Sequence, residues 1–125
     1  MKETGVENRR KLSRWKASYF FEKGKKYDKY HFEVIDTTSN QIIGHLVDLT
    51  LEGMKITSRE SIRKDSIYKF RIELPEDVKN KHQIFVEVKC VWCQQDSNPE
   101  SYNAGFKIIS ITPPFTEVIE TLISQ

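Results

Sequence analysis

Apolar and polar residues alternate along most of this chain. In the stretch IYKFRIEL, residues 67–74, apolar side chains occupy every second position and charged side chains occupy most of the positions between them. Alternation with a period of two is typical of a β-strand that is buried on one face. The same pattern predicts six further strands, over residues 15–22, 30–36, 41–49, 54–58, 83–93 and 102–111. Turn-forming residues separate these strands, which predicts an antiparallel barrel or sandwich.

The period changes only at the C-terminal end. There the apolar residues follow the spacing of a helix face, at Phe115, Val118, Ile119 and Leu122. Thr112 is a residue type that caps helix N-termini, and Pro113 suits the first helical position. We therefore expect an α-helix over residues 113–125 that packs on the barrel or closes one end of it.

The composition is that of a soluble globular domain. The 125 residues are 38% hydrophobic and 30% charged, and the mean hydropathy is -0.58. No apolar run approaches the ~20 residues that a membrane-spanning helix needs, so we expect no membrane insertion. The first residues lack the apolar stretch of a signal peptide, and we therefore expect a cytoplasmic protein.

Charge is distributed unevenly along the chain. Residues 1–30 contain ten Lys/Arg against four Asp/Glu, a net charge of +6, whereas the remainder contains ten against fourteen, a net charge of -4. The most basic cluster is Arg9, Arg10, Lys11 and Arg14. A basic arm on an acidic body attracts anions such as phosphate groups. The alternative interpretation is a solvated tail with no ligand.

The sequence offers little that suggests catalysis. Its three histidines are scattered singly, and the chain has no nucleophile elbow or phosphate-binding loop. The CVWC stretch at residues 90–93 has no second ligand pair to complete a zinc site. Alternation along residues 83–93 predicts Cys90 and Trp92 in the core and Cys93 outside it. We expect no metal, no cofactor and no enzymatic activity.

A second stretch of interest is DLTLEGMKI, residues 48–56. It joins two predicted strands, so Asp48, Thr50 and Gly53 are expected in a turn at the rim of the barrel. Asp and Thr side chains brace turns by hydrogen bonding, and Gly53 suits a positive φ that other residues resist. The simplest interpretation is a capped turn without further function.

These two stretches together resemble the PilZ domain family. Arg10 to Arg14 matches its RxxxR motif, and Asp48 to Gly53 matches its second motif with Thr50 in the place of the usual Ser. The likeness continues through VWCQQDSNPESYNAGFKI and the terminal helix. The resemblance implies a six- to seven-stranded antiparallel PilZ-type β-barrel with a C-terminal α-helix. We expect one domain over residues 9–125, preceded by a flexible tail over residues 1–8.

The resemblance also implies a ligand, the bacterial second messenger cyclic di-GMP (c-di-GMP). An Arg side chain can meet a guanine edge or a phosphate with two parallel hydrogen bonds. By resemblance, Arg10 and Arg14 clamp the ligand, while Asp48, Thr50 and Gly53 bind it or support it from the barrel. Arg9 directly precedes the first motif. In the family, an Arg at this position favours binding of a stacked pair of ligands.

Three functions remain open at this stage. The first is a receptor, a monomer or weak homodimer, that binds c-di-GMP and changes shape to engage an unidentified protein effector. The second is a PilZ-like adaptor that acts through protein contacts without a nucleotide. The third is a small barrel that binds RNA or single-stranded DNA through the basic arm and exposed aromatic side chains.

Overall fold

A computed structural model describes residues 15–16 and 32–124. The described residues form seven strands and one helix: β1 (Trp15–Lys16), β2 (Glu33–Asp36), β3 (Gln41–Leu49), β4 (Gly53–Ser58), β5 (Ile67–Val78), β6 (Lys81–Gln95), β7 (Tyr102–Ile111) and α1 (Pro113–Ile123). The predicted tail over residues 1–8 lies outside this range. All seven predicted strands have a counterpart, although β1 is described over two residues only.

Six of the strands close into an antiparallel barrel. Their order around the ring is β3, β2, β5, β6, β7 and β4, and pairing of β4 with β3 completes it. β2 pairs with residues 41–45 of β3, which leaves the end of that strand free for β1 on the same side. The predicted fold, a six- to seven-stranded barrel with a C-terminal helix, is confirmed.

The core occupies the inside of the ring. Every second side chain of the central strands points inward, for example Ile84, Val86, Val88 and Cys90 of β6, and each of these is buried. Aromatic rings fill the middle, where Phe70 and Phe106 meet edge to face with centroids 5.2 Å apart. Where the pairing is regular, the alternation in the sequence therefore predicts which face of a strand is buried.

The β5–β6 hairpin is longer than the sequence pattern predicts. We expected a loop over residues 75–82, but β5 continues to Val78 and only Lys79 and Asn80 form the turn. Both residues have positive φ, 53° and 63°, as a type I′ turn requires. The pairing is irregular between Glu73 and Val78, where Pro75 has no N–H to donate to the ladder.

A β-bulge in β6 overturns the prediction for Trp92 and Cys93. Pairing with β7 slips between Cys90 and Trp92, so the residues after Cys90 change faces. Trp92 is 38% exposed on the outside of the barrel rather than buried in the core. Cys93 instead packs against the core, and its Sγ accepts a hydrogen bond of 3.3 Å from the Ile62 N–H. Cys90 is fully buried as predicted, and burial raises the pKa of its thiol above its ordinary value.

The terminal helix α1 packs against β5 and β6 with its apolar face. Val118, Ile119 and Leu122 are buried, as their spacing predicts, and the Phe115 ring meets that of Phe85 with centroids 5.5 Å apart. Thr112 is the N-cap residue, but its side chain makes no capping hydrogen bond. Its main-chain carbonyl instead accepts the first hydrogen bonds of the helix.

Candidate functional site

The turn between β3 and β4 is held by one side chain. The Thr50 hydroxyl accepts hydrogen bonds from the N–H groups of Glu52 and Gly53, each 3.1 Å long, and donates to the Gly53 carbonyl at 3.3 Å. A hydroxyl has one hydrogen to donate and two lone pairs to accept with, so all three are used within the turn. Thr50 therefore shapes this loop, and its hydroxyl has no unused hydrogen-bonding group to offer a ligand.

Gly53 serves close packing rather than an unusual backbone angle. Its φ does not lie in the positive range, so the expectation of a left-handed turn residue was wrong. A Cβ at this position would lie 2.6 Å from the main-chain oxygen of Phe106 on β7, which is closer than van der Waals contact. Only glycine lets β4 begin this near to β7, directly opposite Lys107.

Four residues of the site form a row across neighbouring strands. Asp48 of β3 lies opposite Lys55 of β4, Lys55 lies opposite Gly105 of β7, and Gly105 lies opposite Trp92 of β6. Lys55 and Gly105 alternate with the inward-facing Met54 and Phe106, so this row runs along the outside of the barrel. Three segments distant in sequence thus meet on one surface.

Trp92 lies flat on this surface because its neighbour has no side chain. A Cβ at Gly105 would overlap the indole, with Cε2 2.5 Å and Cδ1 2.9 Å away. The Lys55 ammonium lies 6.0 Å from the centroid of the indole ring, within reach of a cation–π interaction. The result is a partly exposed aromatic surface next to a positive charge.

These residues line an open depression of about 830 Å³. Its lining includes the row described above, the Thr50–Gly53 turn, and Val91 and Lys107. One carboxylate oxygen of Asp48 is buried within it. The exposed Glu52 also lines the depression, so its charges are two lysines and two carboxylates. The aromatic face, the lysines and the partly buried carboxylate of Asp48 suit a ligand that has a ring, a negative charge and N–H donors.

A second depression, of about 1070 Å³, lies beside the β2–β3 hairpin and contains none of the motif residues. Its lining includes Glu33, Glu60 and Glu100 against the single cation Arg59, with His45 also present. This charge balance disfavours an anionic ligand, so the larger volume does not make it the better candidate.

The first motif, RxxxR, lies outside the described residues, and so do Arg9, Arg10 and Arg14. The chain enters the described range at β1, immediately after Arg14. There Trp15 pairs with Leu49 and Lys16 pairs with Asp48, so the strand that follows the first motif pairs with the strand that carries the second. Because Lys16 lies opposite Asp48, the cross-strand row extends from β3 to β1.

Among the described residues, no group of three or more His, Cys, Asp or Glu side chains is arranged to hold a metal ion. No helix in the described part of the chain is long and apolar enough to cross a membrane.

A comparison with protein-family models identifies the family that has this arrangement of barrel, turn and helix. The PilZ domain model matches residues 8–125. The chain belongs to the PilZ domain family. The match covers both PilZ motifs and all the described strands. A comparison with curated proteins finds no match.

Two solved structures are similar to this chain. One is the Bacillus subtilis inhibitor of motility MotI/DgrA, with a TM-score of 0.60 and 14% identity over 74% of this chain. The other is PlzA of Borreliella burgdorferi in complex with c-di-GMP, with a TM-score of 0.48 and 16% identity over 74% of this chain. This PilZ chain spans less than half the length of either, 45% and 43%.

The sequence pattern missed three contributors to this PilZ site, Lys55, Trp92 and Gly105. Alternation placed Trp92 in the core, because a bulge leaves no mark in a pattern of apolar residues. One signal was available. A glycine within a predicted strand often marks the close approach of another group, and at Gly105 that group is the indole.

Proposed function

We propose that this PilZ domain is a receptor for c-di-GMP. The observation that carries the proposal is the cross-strand row, which joins Asp48 of the second motif to Lys55 and Trp92 on one outer face. Members of the family are binding and adaptor domains rather than enzymes. The ligand carries two guanine rings and two phosphates, and each has a suitable partner at this face.

Each part of the ligand is matched by a different group. The indole of Trp92 offers a surface for stacking a guanine ring, and Lys55 and Lys107 offer positive charge to the phosphates. The carboxylate of Asp48 suits the N–H groups of a guanine edge. Thr50 and Gly53 hold the turn that sets the position of these groups, so they act as positioning residues.

Arg10 and Arg14 complete the proposed site from the other side of Asp48. Consecutive Cα atoms are about 3.8 Å apart, and Arg14 is bonded to Trp15, which pairs with Leu49. This connection supports the assignment of both arginines as clamps for guanine and phosphate. Arg9, one position earlier, is proposed to favour a second stacked ligand.

The test is calorimetric titration of the full chain with c-di-GMP. A bidentate Arg–guanine contact is worth ~1–3 kcal/mol, so Arg14→Ala should weaken binding about fivefold to more than a hundredfold. Asp48→Asn should weaken binding as well while the barrel stays folded. Lys79→Ala, at the far β5–β6 turn, is the matched control and should bind as the wild type does.

Three outcomes would contradict the proposal. If the wild-type chain fails to bind c-di-GMP, the adaptor function without a nucleotide takes its place. If binding survives both Arg14→Ala and Asp48→Asn unchanged, the ligand lies elsewhere. Binding of single-stranded DNA with a steep, sequence-independent salt dependence would favour the nucleic-acid interpretation instead.

The proposed receptor acts by passing the binding event to a protein effector. A domain of this kind meets c-di-GMP in the bacterial cytoplasm, where we place the protein. Ordering of the basic arm over the Asp48 face on binding is the conformational change that we propose, because the ligand's two negative charges reduce repulsion among Arg9, Arg10 and Arg14.

A further inference from the structure

A second outer surface of the barrel combines exposed aliphatic side chains with lysines. It covers the outward positions of β5, β6 and β7 next to the candidate ligand site. We call it the lysine face and define it by Ile67, Lys69, Lys89, Val91, Lys107 and Ile109. Pairing sets its centre, where Ile67 of β5 lies opposite Lys89 of β6, which lies opposite Lys107 of β7.

The aliphatic residues of this face are unusually open to water. Ile67 is 59% exposed, Ile109 is 47% exposed and Val91 is 40% exposed. Single exposed apolar residues are common, but three around one lysine form a patch, and such patches mark interaction sites. Nothing in the barrel core requires apolar residues at these outward positions.

The charge of the face indicates the kind of partner. It has three lysines, and among the described residues of β5, β6 and β7 the carboxylate that lies opposite one of them, Lys69, is Glu87. A surface with excess positive charge attracts and orients an acidic partner. The neighbouring side chains are aliphatic rather than aromatic, which suits leucine-like contacts better than the stacking of nucleic-acid bases.

The closed ring determines how such a partner can bind. Each of the six barrel strands, β2 to β7, pairs with two neighbours over part of its length, and Lys89 at the centre of the face is paired with both β5 and β7, so a partner cannot add a strand there by main-chain hydrogen bonds. It has to bind through side chains. β5 and β7 are two strand spacings apart, about 10 Å. This matches the separation of residues i and i+7 on an α-helix, about 10.5 Å.

From these observations we infer that the lysine face docks an acidic amphipathic helix of a partner protein. Apolar side chains on successive turns of the helix contact Ile67 and Ile109, and carboxylates on either side meet Lys69, Lys89 and Lys107. The inference stands independently of c-di-GMP. Lys107 and Val91 also line the candidate ligand depression, so an occupant of the depression would contact the edge of the docked helix.

The test uses a synthetic helical peptide as the probe, about 18 residues long. It carries Leu at positions i and i+7 and Glu on both flanks of that stripe. A control peptide has every Glu replaced by Gln. Backbone amide shifts of the full chain should change saturably with the acidic peptide, and the changes should be centred on the lysine face. The Gln peptide should bind at least about tenfold more weakly than the acidic peptide.

Two charge-reversed variants separate specific docking from general attraction. Lys89→Glu, at the centre of the face, should weaken the acidic peptide about tenfold or more, because like charges now meet. Lys79→Glu makes the same change in net charge at the distant β5–β6 turn and should have little effect. Ile67→Ser should weaken binding without changing c-di-GMP titration, which keeps this test separate from that of the proposed ligand.

Several results would overturn the inference. These are no saturable binding of the acidic peptide, equal losses in Lys89→Glu and Lys79→Glu, or equal binding of the Gln peptide. Tighter binding of single-stranded DNA than of the peptide at the same face would assign it to nucleic acid. Self-association of the chain that Ile67→Ser abolishes would assign the face to a second copy.

Discussion

At the scale of the residue, Thr50 shows how a motif side chain contributes without touching a ligand. Its hydroxyl makes three hydrogen bonds within the β3–β4 turn. A serine provides the same hydroxyl, so the extra methyl of threonine leaves this role intact. Thr50 therefore holds the turn as the usual Ser of the family motif would, although the residue type differs.

We predict that Thr50→Ser preserves stability and c-di-GMP binding, whereas Thr50→Val impairs both. Valine has nearly the shape of threonine but leaves the N–H groups of Glu52 and Gly53 without their acceptor. Because the Glu52 bond is exposed and the Gly53 bond is partly buried, water replaces part of the loss, and we expect a cost of ~0.5–1.5 kcal/mol of unfolding free energy. Urea unfolding and calorimetry measure the two effects. Equal behaviour of the serine and valine variants would contradict this role.

Trp92 is the residue for which surface and core assignments predict opposite results. We expect Trp92→Ala to reduce the unfolding free energy by about 1 kcal/mol, well below the ~3–5 kcal/mol for a buried aromatic side chain. The same variant should weaken c-di-GMP binding about fivefold to more than a hundredfold, because stacking is worth ~1–3 kcal/mol per base. Chemical unfolding and calorimetry of the same preparation give both numbers.

The matched variant for this prediction is Trp92→Phe, which keeps an aromatic face and should retain part of the binding. A large loss of stability in Trp92→Ala, with binding unchanged, would mean that the indole is a structural side chain. Gly105→Ala provides a second test of the indole's position, because the added methyl group displaces the Trp92 indole without removing it. Its tryptophan fluorescence should therefore differ from that of the wild type.

At the scale of the element, the strands were predictable and their irregularities were not. Alternation identified β3, β4 and β7 almost to the residue, because these strands bury one face and expose the other. The bulge at Cys90 and Trp92 and the extension of β5 through Pro75 depend on pairing with partner strands. Such features are set by tertiary contacts that no local pattern records.

The β5–β6 turn provides a prediction at this scale. Lys79 and Asn80 both adopt positive φ, which costs about 1 kcal/mol for a residue such as lysine. The double variant Lys79→Asn/Asn80→Gly has the preferred residues of a type I′ turn. It should raise the unfolding free energy by about 1 kcal/mol, as thermal or urea unfolding can measure. A decrease would indicate that the turn has another geometry.

At the scale of the whole molecule, the two motifs were recognisable from sequence, but the surface around the second motif was not. Asp48, Thr50 and Gly53 were expected together in one turn, but only Thr50 lies in the turn, because Asp48 belongs to β3 and Gly53 begins β4; all three line the same depression. Their relation to Lys55 and Trp92 arises from ring closure, which brings β4, β7 and β6 side by side. The lysine face lies on the consecutive strands β5, β6 and β7 and needs only their direct pairing.

The seam between β4 and β7 also has a consequence for folding kinetics. It pairs residues about fifty positions apart, such as Met54 and Phe106. Pairings this distant form late, because a long loop has to close before the contacts that stabilise it are made. The row from Asp48 to Trp92 crosses this seam, so the proposed site is complete only after this pairing has formed. A ligand bound there holds the last-formed contacts together, and it should lengthen the lifetime of the native state without accelerating its formation.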